Sequence, residues 1–335
     1  MTEKEPALLA MTMGDPAGVG PSMTADAWKF FREDPAYAFF VIGAPGLYAS
    51  SVPLQTISSP AEAASIFSGA LPVLPLESVP VAIPGEPDTA AAHGIIASIE
   101  QAVGFCLDGQ ATGMVTNPIN KDLLYGAGFK HPGHTEYIAK LCEPAAGMPL
   151  KPVMLLTGGG LRVALATIHV PLNQVSALLT VDKLIELGHI VSAALKTDLG
   201  IHAPRIAFTG LNPHAGENGA IGKEEIEIIN PAARALRESG IDMSDARSAD
   251  TVFAEALEGR YDAVIAMTHD QGLIPVKTLD MWGGVNTTLG LPIVRTSPDH
   301  GTGYDAARAG TARPDSLIAA VRQARSIANH RKAMA

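Results

Sequence analysis

The chain has 335 residues, of which 47% are hydrophobic and 17% charged, so it has enough apolar material for a folded core and too little charge for a disordered chain. Its formal net charge is −10, without a basic stripe, which makes nucleic acid and anionic membranes poor partners. Its two cysteines, Cys106 and Cys142, exclude a disulfide scaffold and a cysteine-rich metal site.

The first residues and the apolar runs predict a cytoplasmic protein. The run Ala7–Met13 stops at Gly14 and is too short for the core of a signal peptide. Nowhere do about 18 apolar residues follow one another, so we expect no transmembrane helix.

Short apolar runs alternate along the chain with longer segments of helical period. The runs that predict strands are Ala7–Met13, Phe39–Gly43, Ala111–Thr116, Val153–Thr157, Val163–His169, Arg205–Thr209 and Ala263–Thr268. The segments that predict helices are Pro21–Phe31, Ala90–Leu107, Val181–Leu199, Lys223–Ser239 and Pro314–Ala328. Alternating strands and helices, with strands that are apolar throughout, predict a mostly parallel sheet with helices on both faces.

Polar and glycine-rich clusters follow five of the predicted strands. They occupy residues 14–21, 116–121, 167–171, 210–217 and 268–272. In open α/β sheets, ligands bind beyond the carboxyl ends of the strands. We therefore expect these clusters to form the functional site.

Three histidines, His169, His214 and His269, share one context: each ends or follows a predicted strand and precedes a proline or glycine within a few residues. Neutral imidazole is the commonest metal ligand, and three imidazoles leave positions open for substrate oxygens. Nitrogen ligands favour zinc, cobalt, nickel or iron(II) over magnesium. Each histidine taken alone is more often a structural residue in a loop, and the three meet only if their strands are neighbours.

The glycine-rich turns do not fit the common nucleotide motifs. Gly14–Gly20 has the spacing G-x-x-x-G-x-G, which is not the dinucleotide fingerprint, and Gly158–Gly160 lies between two predicted strands, as in a hairpin. The segment from Gly216 onward fails the P-loop spacing. Gly216, Glu217 and Asn218 either form an ordinary loop before a helix or offer backbone N–H groups to a pyrophosphate.

Several residues suit an anionic substrate. Lys277, Asn286 and Arg295 lie late in the chain, and Arg295 ends a predicted apolar run, where its guanidinium could bind phosphate or carboxylate through two hydrogen bonds. His134 and Thr135 read as the start of a helix, whose N–H groups favour an anion. The alternatives are a solvated lysine, a surface arginine and a plain helix cap.

Together these motifs resemble the 4-hydroxythreonine-4-phosphate dehydrogenase family of vitamin B6 biosynthesis. The resembling stretches are residues 14–21, 133–136, 161–172, 210–219, 261–277 and 286–303. The resemblance implies an isocitrate/isopropylmalate dehydrogenase-like α/β fold of two α/β/α subdomains with a central cleft. From the organisation of the chain we place the boundary near residue 130, with residues 1–130 and about 300–335 in one subdomain and residues 131–299 in a second that carries the metal ligands and dimer contacts. The resemblance also implies a homodimer with its active site at the subunit interface.

The family's residue roles are carried over position by position. The resemblance implies metal ligation by His169, His214 and His269, substrate binding by His134, Thr135, Lys277, Asn286 and Arg295, and catalytic roles for Asp270 and Lys277. The implied cofactors are NAD or NADP and a divalent metal, which would be zinc, cobalt or magnesium. We expect Gly216, Glu217 and Asn218 to bind the dinucleotide.

The implied reaction is oxidation of the secondary alcohol of 4-(phosphooxy)-L-threonine with decarboxylation to 3-amino-2-oxopropyl phosphate. Ile168, where the family commonly has threonine, and the unusual segment Thr278–Trp282 depart from the family pattern. Related enzymes that oxidise threonate or erythronate 4-phosphate, or an aromatic cis-dihydrodiol carboxylate such as terephthalate dihydrodiol, therefore remain alternatives. From other classes, a non-catalytic metal- or nucleotide-binding protein and a metal-dependent hydrolase remain open.

Overall fold

The structure, a computed structural model, describes residues 8–77, 79–131 and 133–334, in which the chain forms twelve β-strands and twelve α-helices. Ala7, where the first strand was predicted to start, lies outside these residues. The strands are β1 (Leu9–Thr12), β2 (Phe39–Gly43), β3 (Leu54–Thr56), β4 (Leu71–Pro75), β5 (Gly113–Val115), β6 (Val153–Gly158), β7 (Leu161–Leu165), β8 (Arg205–Phe208), β9 (Asp242–Met243), β10 (Ala263–Ala266), β11 (Val285–Leu289) and β12 (Arg295–Pro298). The helices are α1 (Gly20–Phe31), α2 (Ala63–Ile66), α3 (Ala92–Leu107), α4 (Lys121–Gly126), α5 (His134–Ala146), α6 (Val175–Leu178), α7 (Val181–Thr197), α8 (Asn230–Glu238), α9 (Val252–Leu257), α10 (His269–Leu279), α11 (Tyr304–Ala309) and α12 (Asp315–Met334).

The chain divides into two compact units. Unit 1 comprises residues 1–152 and 291–329, and unit 2 comprises residues 153–290 and 330–335. The first division therefore follows residue 152 rather than residue 130. Helix α5 belongs to unit 1 because it packs against α3, where the hydroxyl of Tyr137 donates a hydrogen bond to Oε1 of Glu100 at 2.6 Å.

Unit 1 is built on a sheet of six parallel strands in the order β3-β4-β2-β1-β5-β12. Helix α3 packs on this sheet: Oγ of Ser98 accepts from the backbone N–H of Met13 at 3.1 Å and donates to the carbonyl of Ile42 at 2.7 Å. With the turn before it, residues Thr89–Leu107 are long and apolar enough to cross a membrane by length and composition. Because α3 packs on the sheet, its apolar face is that of a core helix.

Unit 2 has strands in the order β11-β6-β7-β10-β8-β9, with β6 antiparallel to both of its neighbours and the others parallel. Strands β6 and β7 form the predicted hairpin, in which Gly159 and Gly160 both have positive φ. A two-residue turn of this hand requires that conformation, which glycine adopts without steric cost.

Both faces of the unit 2 sheet are buried, as predicted. Adjacent positions of one strand belong to different apolar clusters: Leu155 of β6 packs with residues of α7 and α8, and Leu156 packs with residues of α9 and α10. Because side chains alternate across a strand, these clusters lie on opposite faces of the sheet. Arg295 follows an apolar run, as the sequence shows, but it lies at the start of a strand, since it is the first residue of β12.

Candidate active site

The three predicted metal ligands lie at one edge of the unit 2 sheet. Strands β7, β10 and β8 are parallel neighbours, and each is followed by one of these histidines. His169 lies in the segment after β7, His214 in the loop after β8, and His269 at the start of α10. The strand order therefore provides the neighbourhood that the sequence could not show.

Two of these imidazoles are adjacent. The ring centroids of His169 and His269 are 5.4 Å apart, with an interplanar angle of 49°. Two imidazoles that bind one tetrahedral cation through nitrogen, at about 2.0–2.1 Å, place their centroids about 5 Å apart. Nδ1 of His269 lies 2.8 Å from Oδ1 of Asp270, a carboxylate contact that orients a ligating ring and leaves Nε2 for the cation. In donor type and spacing, this pair fits a divalent transition metal.

His214 is not part of that pair. Within residues 8–77, 79–131 and 133–334, no three His, Cys, Asp or Glu side chains are close enough to hold a metal ion together. The side chain of His214 is 64% exposed, and its Nδ1 lies 2.7 Å from Oε1 of Glu217. The hydrogen bond and negative charge of Glu217 raise the pKa of His214.

The loop that carries His214 has an unusual backbone. Residues 214–219 all have positive φ, between 44° and 93°, so they form a turn of a left-handed helix. Four of the six carry a side chain, and the left-handed conformation costs an L-residue roughly 1–2 kcal/mol. Backbone strain of this kind is concentrated at functional sites. Gly216, Glu217 and Asn218, predicted to bind the cofactor, lie inside this turn, and their cofactor role stays a prediction.

Unit 1 holds a second group of predicted residues, which we call the cationic pocket: Thr116, Lys121, His134, Thr135 and Arg295. Arg295 is only 3% exposed. Its Nη2 and Nε donate to Oγ1 of Thr116 at 2.9 and 3.2 Å, and its Nη1 donates to Oγ1 of Thr135 at 3.5 Å. Burial lowers the pKa of Arg295 to about 10, so its guanidinium is still charged at neutral pH. The predicted alternative of a surface arginine is wrong.

His134 completes the cationic pocket. It is the first residue of α5, as predicted, and its N-cap Gly133 has an extended backbone. Burial, followed by the positive charges of Arg295 and Lys121, holds the pKa of His134 well below its usual value, so the imidazole is neutral. Its Nε2 is enclosed without a hydrogen-bond partner among the described residues. Since buried polar atoms in native proteins are nearly all bonded, this atom is suited to a ligand.

The predicted substrate residues of unit 2 lie on α10 and β11. Lys277 follows His269 by two turns on the same helix. Asn286 lies opposite Leu156 in the sheet, and its Oδ1 is also enclosed without a partner in the described part of the chain. Helix α10 itself was not predicted; its start at Thr268 carries a capping box with Gln271, which is a sequence signal for a helix N-terminus.

Two features of the Gly14–Gly20 turn escaped the sequence reasoning. Asp15 is 1% exposed and accepts a 2.5 Å hydrogen bond from the hydroxyl of Tyr304, which in turn accepts from Asn120 at 3.0 Å. Burial and the contact with Asp15 raise the pKa of Tyr304 to about 12. The same turn borders a cavity of about 510 Å³, lined by Pro16, Gly18 and largely small or apolar residues of unit 1. The buried acid was visible in the sequence as part of a Gly-Asp-Pro turn, but its tyrosine partner was not.

Comparison with known proteins identifies the family. The family described as "Pyridoxal phosphate biosynthetic protein PdxA" matches residues 37–324. A 4-hydroxythreonine-4-phosphate dehydrogenase of Caulobacter vibrioides is 50% identical over 327 residues, which cover 96% of this chain and 98% of the relative. The enzyme of the same name from Maricaulis maris is 49% identical, covering 99% of this chain and all of the relative.

Solved structures of two related dehydrogenases have the same fold. A crystal structure of 4-hydroxythreonine-4-phosphate dehydrogenase from Klebsiella pneumoniae has a TM-score of 0.83 at 35% identity and covers 96% of this chain and 99% of its own. A terephthalate 1,2-cis-dihydrodiol dehydrogenase from Burkholderia xenovorans has a TM-score of 0.65 at 28% identity, covering 96% and 98%. The predicted α/β fold class is thereby confirmed.

Proposed function

This chain belongs to the PdxA family of pyridoxal phosphate biosynthetic proteins, and we propose that it is a 4-hydroxythreonine-4-phosphate dehydrogenase. In this role it oxidises the secondary alcohol of 4-(phosphooxy)-L-threonine with NAD or NADP, and the β-keto acid then loses CO2 to give 3-amino-2-oxopropyl phosphate. The observation that carries the proposal is the 50% identity to a dehydrogenase of that name along almost the whole chain.

The cationic pocket supports binding of an anionic substrate group. Thr116 fixes the plane of the Arg295 guanidinium, whose fork matches two oxygens of phosphate or carboxylate. The N–H groups at the start of α5 add a partial positive charge. The neutral imidazole of His134 can donate a hydrogen bond from its enclosed Nε2 to such an anion.

The histidines of unit 2 support a divalent cation. His169 and His269 would hold it, with zinc or cobalt favoured over magnesium by their nitrogen donors, and His214 of this chain or of a second copy would be the third ligand. When bound, such a cation supplies positive charge that stabilises the negative charge developing on the substrate's oxygen. Asp270 orients the His269 ring, and Lys277 is the candidate for handling the substrate's charge or proton.

The dinucleotide has two candidate positions. The predicted segment Gly216–Asn218 has its Glu217 carboxylate beside His214, which is an unfavourable neighbour for a pyrophosphate. The cavity beside the Gly14–Gly20 turn has a volume of about 510 Å³, within the range of small-molecule sites, and we favour it for the nucleoside part of NAD(P).

We further propose a cytoplasmic homodimer that associates through unit 2. Several large apolar side chains of this unit are exposed, among them Ile274 (63%), Leu279 (50%), Met281 (57%) and Trp282 (51%). Exposed apolar side chains of this kind suit a protein interface. Sedimentation equilibrium measures the mass of the assembly in solution, and a monomer at micromolar concentration would contradict the homodimer.

The similarity to a dihydrodiol dehydrogenase keeps a second substrate class open. An aromatic carboxylate would use the same cations as a phosphate. Trp282, half exposed and between Lys277 and Asn286 in sequence, is the residue through which an aromatic substrate could be preferred.

The deciding experiment compares substrates in one assay. NAD(P)H formation is followed by absorbance with 4-(phosphooxy)-L-threonine, D-threonate 4-phosphate and terephthalate dihydrodiol. We expect the highest kcat/KM for the first, and a preference for either of the others would reassign the substrate. His169→Ala and His269→Ala should abolish turnover, whereas His202→Ala, at an exposed position of the same unit, should not.

A further inference from the structure

Glu225 is a buried carboxylate for which the proposed reaction has no role. It is the first residue of the π-helical turn Glu225–Ile229 and is 2% exposed. Its Oε1 accepts hydrogen bonds from the backbone N–H groups of Leu211 and Asn212, both at 2.8 Å, and its Oε2 accepts from Nδ2 of Asn212 at 3.0 Å. Burying a carboxylate costs free energy unless it is hydrogen-bonded, and here all three donors come from one short loop.

That loop is the one that carries His214. Asn212 lies two residues before it, at the start of the left-handed turn. Glu225 also contacts the other side of the loop, because a Cβ built on Gly216 would lie 2.6 Å from its Oε2. The carboxylate thus contacts the chain both before and after His214, and it fills the space inside the loop.

We propose that Glu225 is a positioning residue that holds the left-handed turn and so presents His214 for binding a divalent cation. The inference rests on the proposed function, since it takes His214 as a ligand. An unsupported run of six left-handed residues would relax towards right-handed conformations, and the imidazole would leave its place beyond β8. Within the turn, Oε1 of Glu217 lies 2.7 Å from Nδ1 of His214, so Nε2 of that imidazole is left for the cation.

The test is a cobalt(II) titration of the metal-free full-length chain, followed by the visible absorption of the bound ion. His214→Ala should weaken cobalt binding by at least the 10- to 100-fold that loss of a ligand's supporting partner costs. Glu225→Gln turns an acceptor into an N–H donor that faces the donors of Asn212, so it should weaken cobalt binding about 10- to 100-fold. Glu227→Gln, an equal charge change at an exposed position of the same turn, should have no effect.

The double variant His214→Ala/Glu225→Gln separates positioning from a general effect. If Glu225 acts through His214, the double variant binds cobalt no more weakly than His214→Ala alone. Asn212→Ala removes one hydrogen bond to Glu225 and leaves the charge of Glu225 in place, so it should weaken cobalt binding less than Glu225→Gln does. It serves as the test if Glu225→Gln does not fold.

Three results would overturn the inference. An additive loss in the double variant means that Glu225 does not act through His214. A Glu225→Gln variant that binds cobalt like the wild type, while His214→Ala does not, refutes positioning and leaves the proposed function intact. A His214→Ala variant with unchanged cobalt affinity removes His214 from the metal site of the proposed function, and the inference falls with it.

Discussion

Replacing Arg295 with lysine tests whether the cationic pocket binds the phosphate of the substrate. Lysine keeps the charge and loses the planar fork that Thr116 orients through contacts of 2.9 and 3.2 Å. One hydrogen bond to a charged group contributes about 1.5–3 kcal/mol, so losing one predicts a fall in kcat/KM of about 10- to 150-fold. If the interaction is equal in the ground and transition states, the loss appears in KM and kcat is retained.

The assay follows NAD(P)H formation for the wild type, Arg295→Lys and the surface control Arg313→Lys. Each variant is tested with 4-(phosphooxy)-L-threonine and with the unphosphorylated 4-hydroxythreonine, and thermal unfolding confirms that each is folded. The loss should be confined to the phosphorylated substrate. Equal losses for both substrates, or none for either, would show that Arg295 does not bind phosphate.

Three further predictions concern stability. Burial holds the pKa of His134 well below 6.5, so below that pH the unfolded chain gains a proton that the folded chain does not, and the free energy of unfolding falls by up to about 1.4 kcal/mol per pH unit. His134→Gln should remove this part of the pH dependence, measured by urea denaturation across pH 5 to 8, and an unchanged pH dependence would contradict the prediction. Gly188→Ala should destabilise the protein by about 1–3 kcal/mol, because the new Cβ would lie 2.4 Å from a methyl carbon of Leu236, whereas Gly104→Ala, with no atom within 4 Å of the new Cβ, should stabilise it by about 0.5–1 kcal/mol. Equal midpoints of chemical denaturation for the two variants would refute the packing argument. Tyr304→Phe leaves the buried Asp15 without one of its donors and should lower stability by about 1–3 kcal/mol, which thermal unfolding measures; no change would mean that the contact does not contribute to stability.

The strands that are apolar on both faces were predictable from sequence. Strand β2 has the bounds predicted for it, Phe39–Gly43, and β8 and β10 start at their predicted residues. Strands β11 and β12 gave no such signal because their buried side chains are largely polar. Thr296 of β12, for example, is fully buried and donates to the carbonyl of Ala320 at 2.8 Å. A polar strand stabilised by tertiary hydrogen bonds has no apolar period to read.

In the candidate site, too, local features were predictable from sequence and features that depend on tertiary structure were not. The start of α5 at His134 followed from local sequence. The adjacency of His169 and His269 depends on which strands are neighbours, which is a property of the whole sheet. The left-handed turn at residues 214–219 was not predictable, because only two of its six residues are glycines, and the contacts of Glu225 with the loop come from a different element.

The inverted hand of residues 214–219 bears on the engineering of this enzyme. At Ala215, which carries no functional group, glycine would relieve about 1 kcal/mol of backbone strain, so a search for heat-resistant variants should enrich it. At His214 and Glu217 the same relief would remove the imidazole or the carboxylate beside it. Thermal tolerance should therefore rise without loss of turnover at Ala215, and only at the expense of turnover at His214 and Glu217.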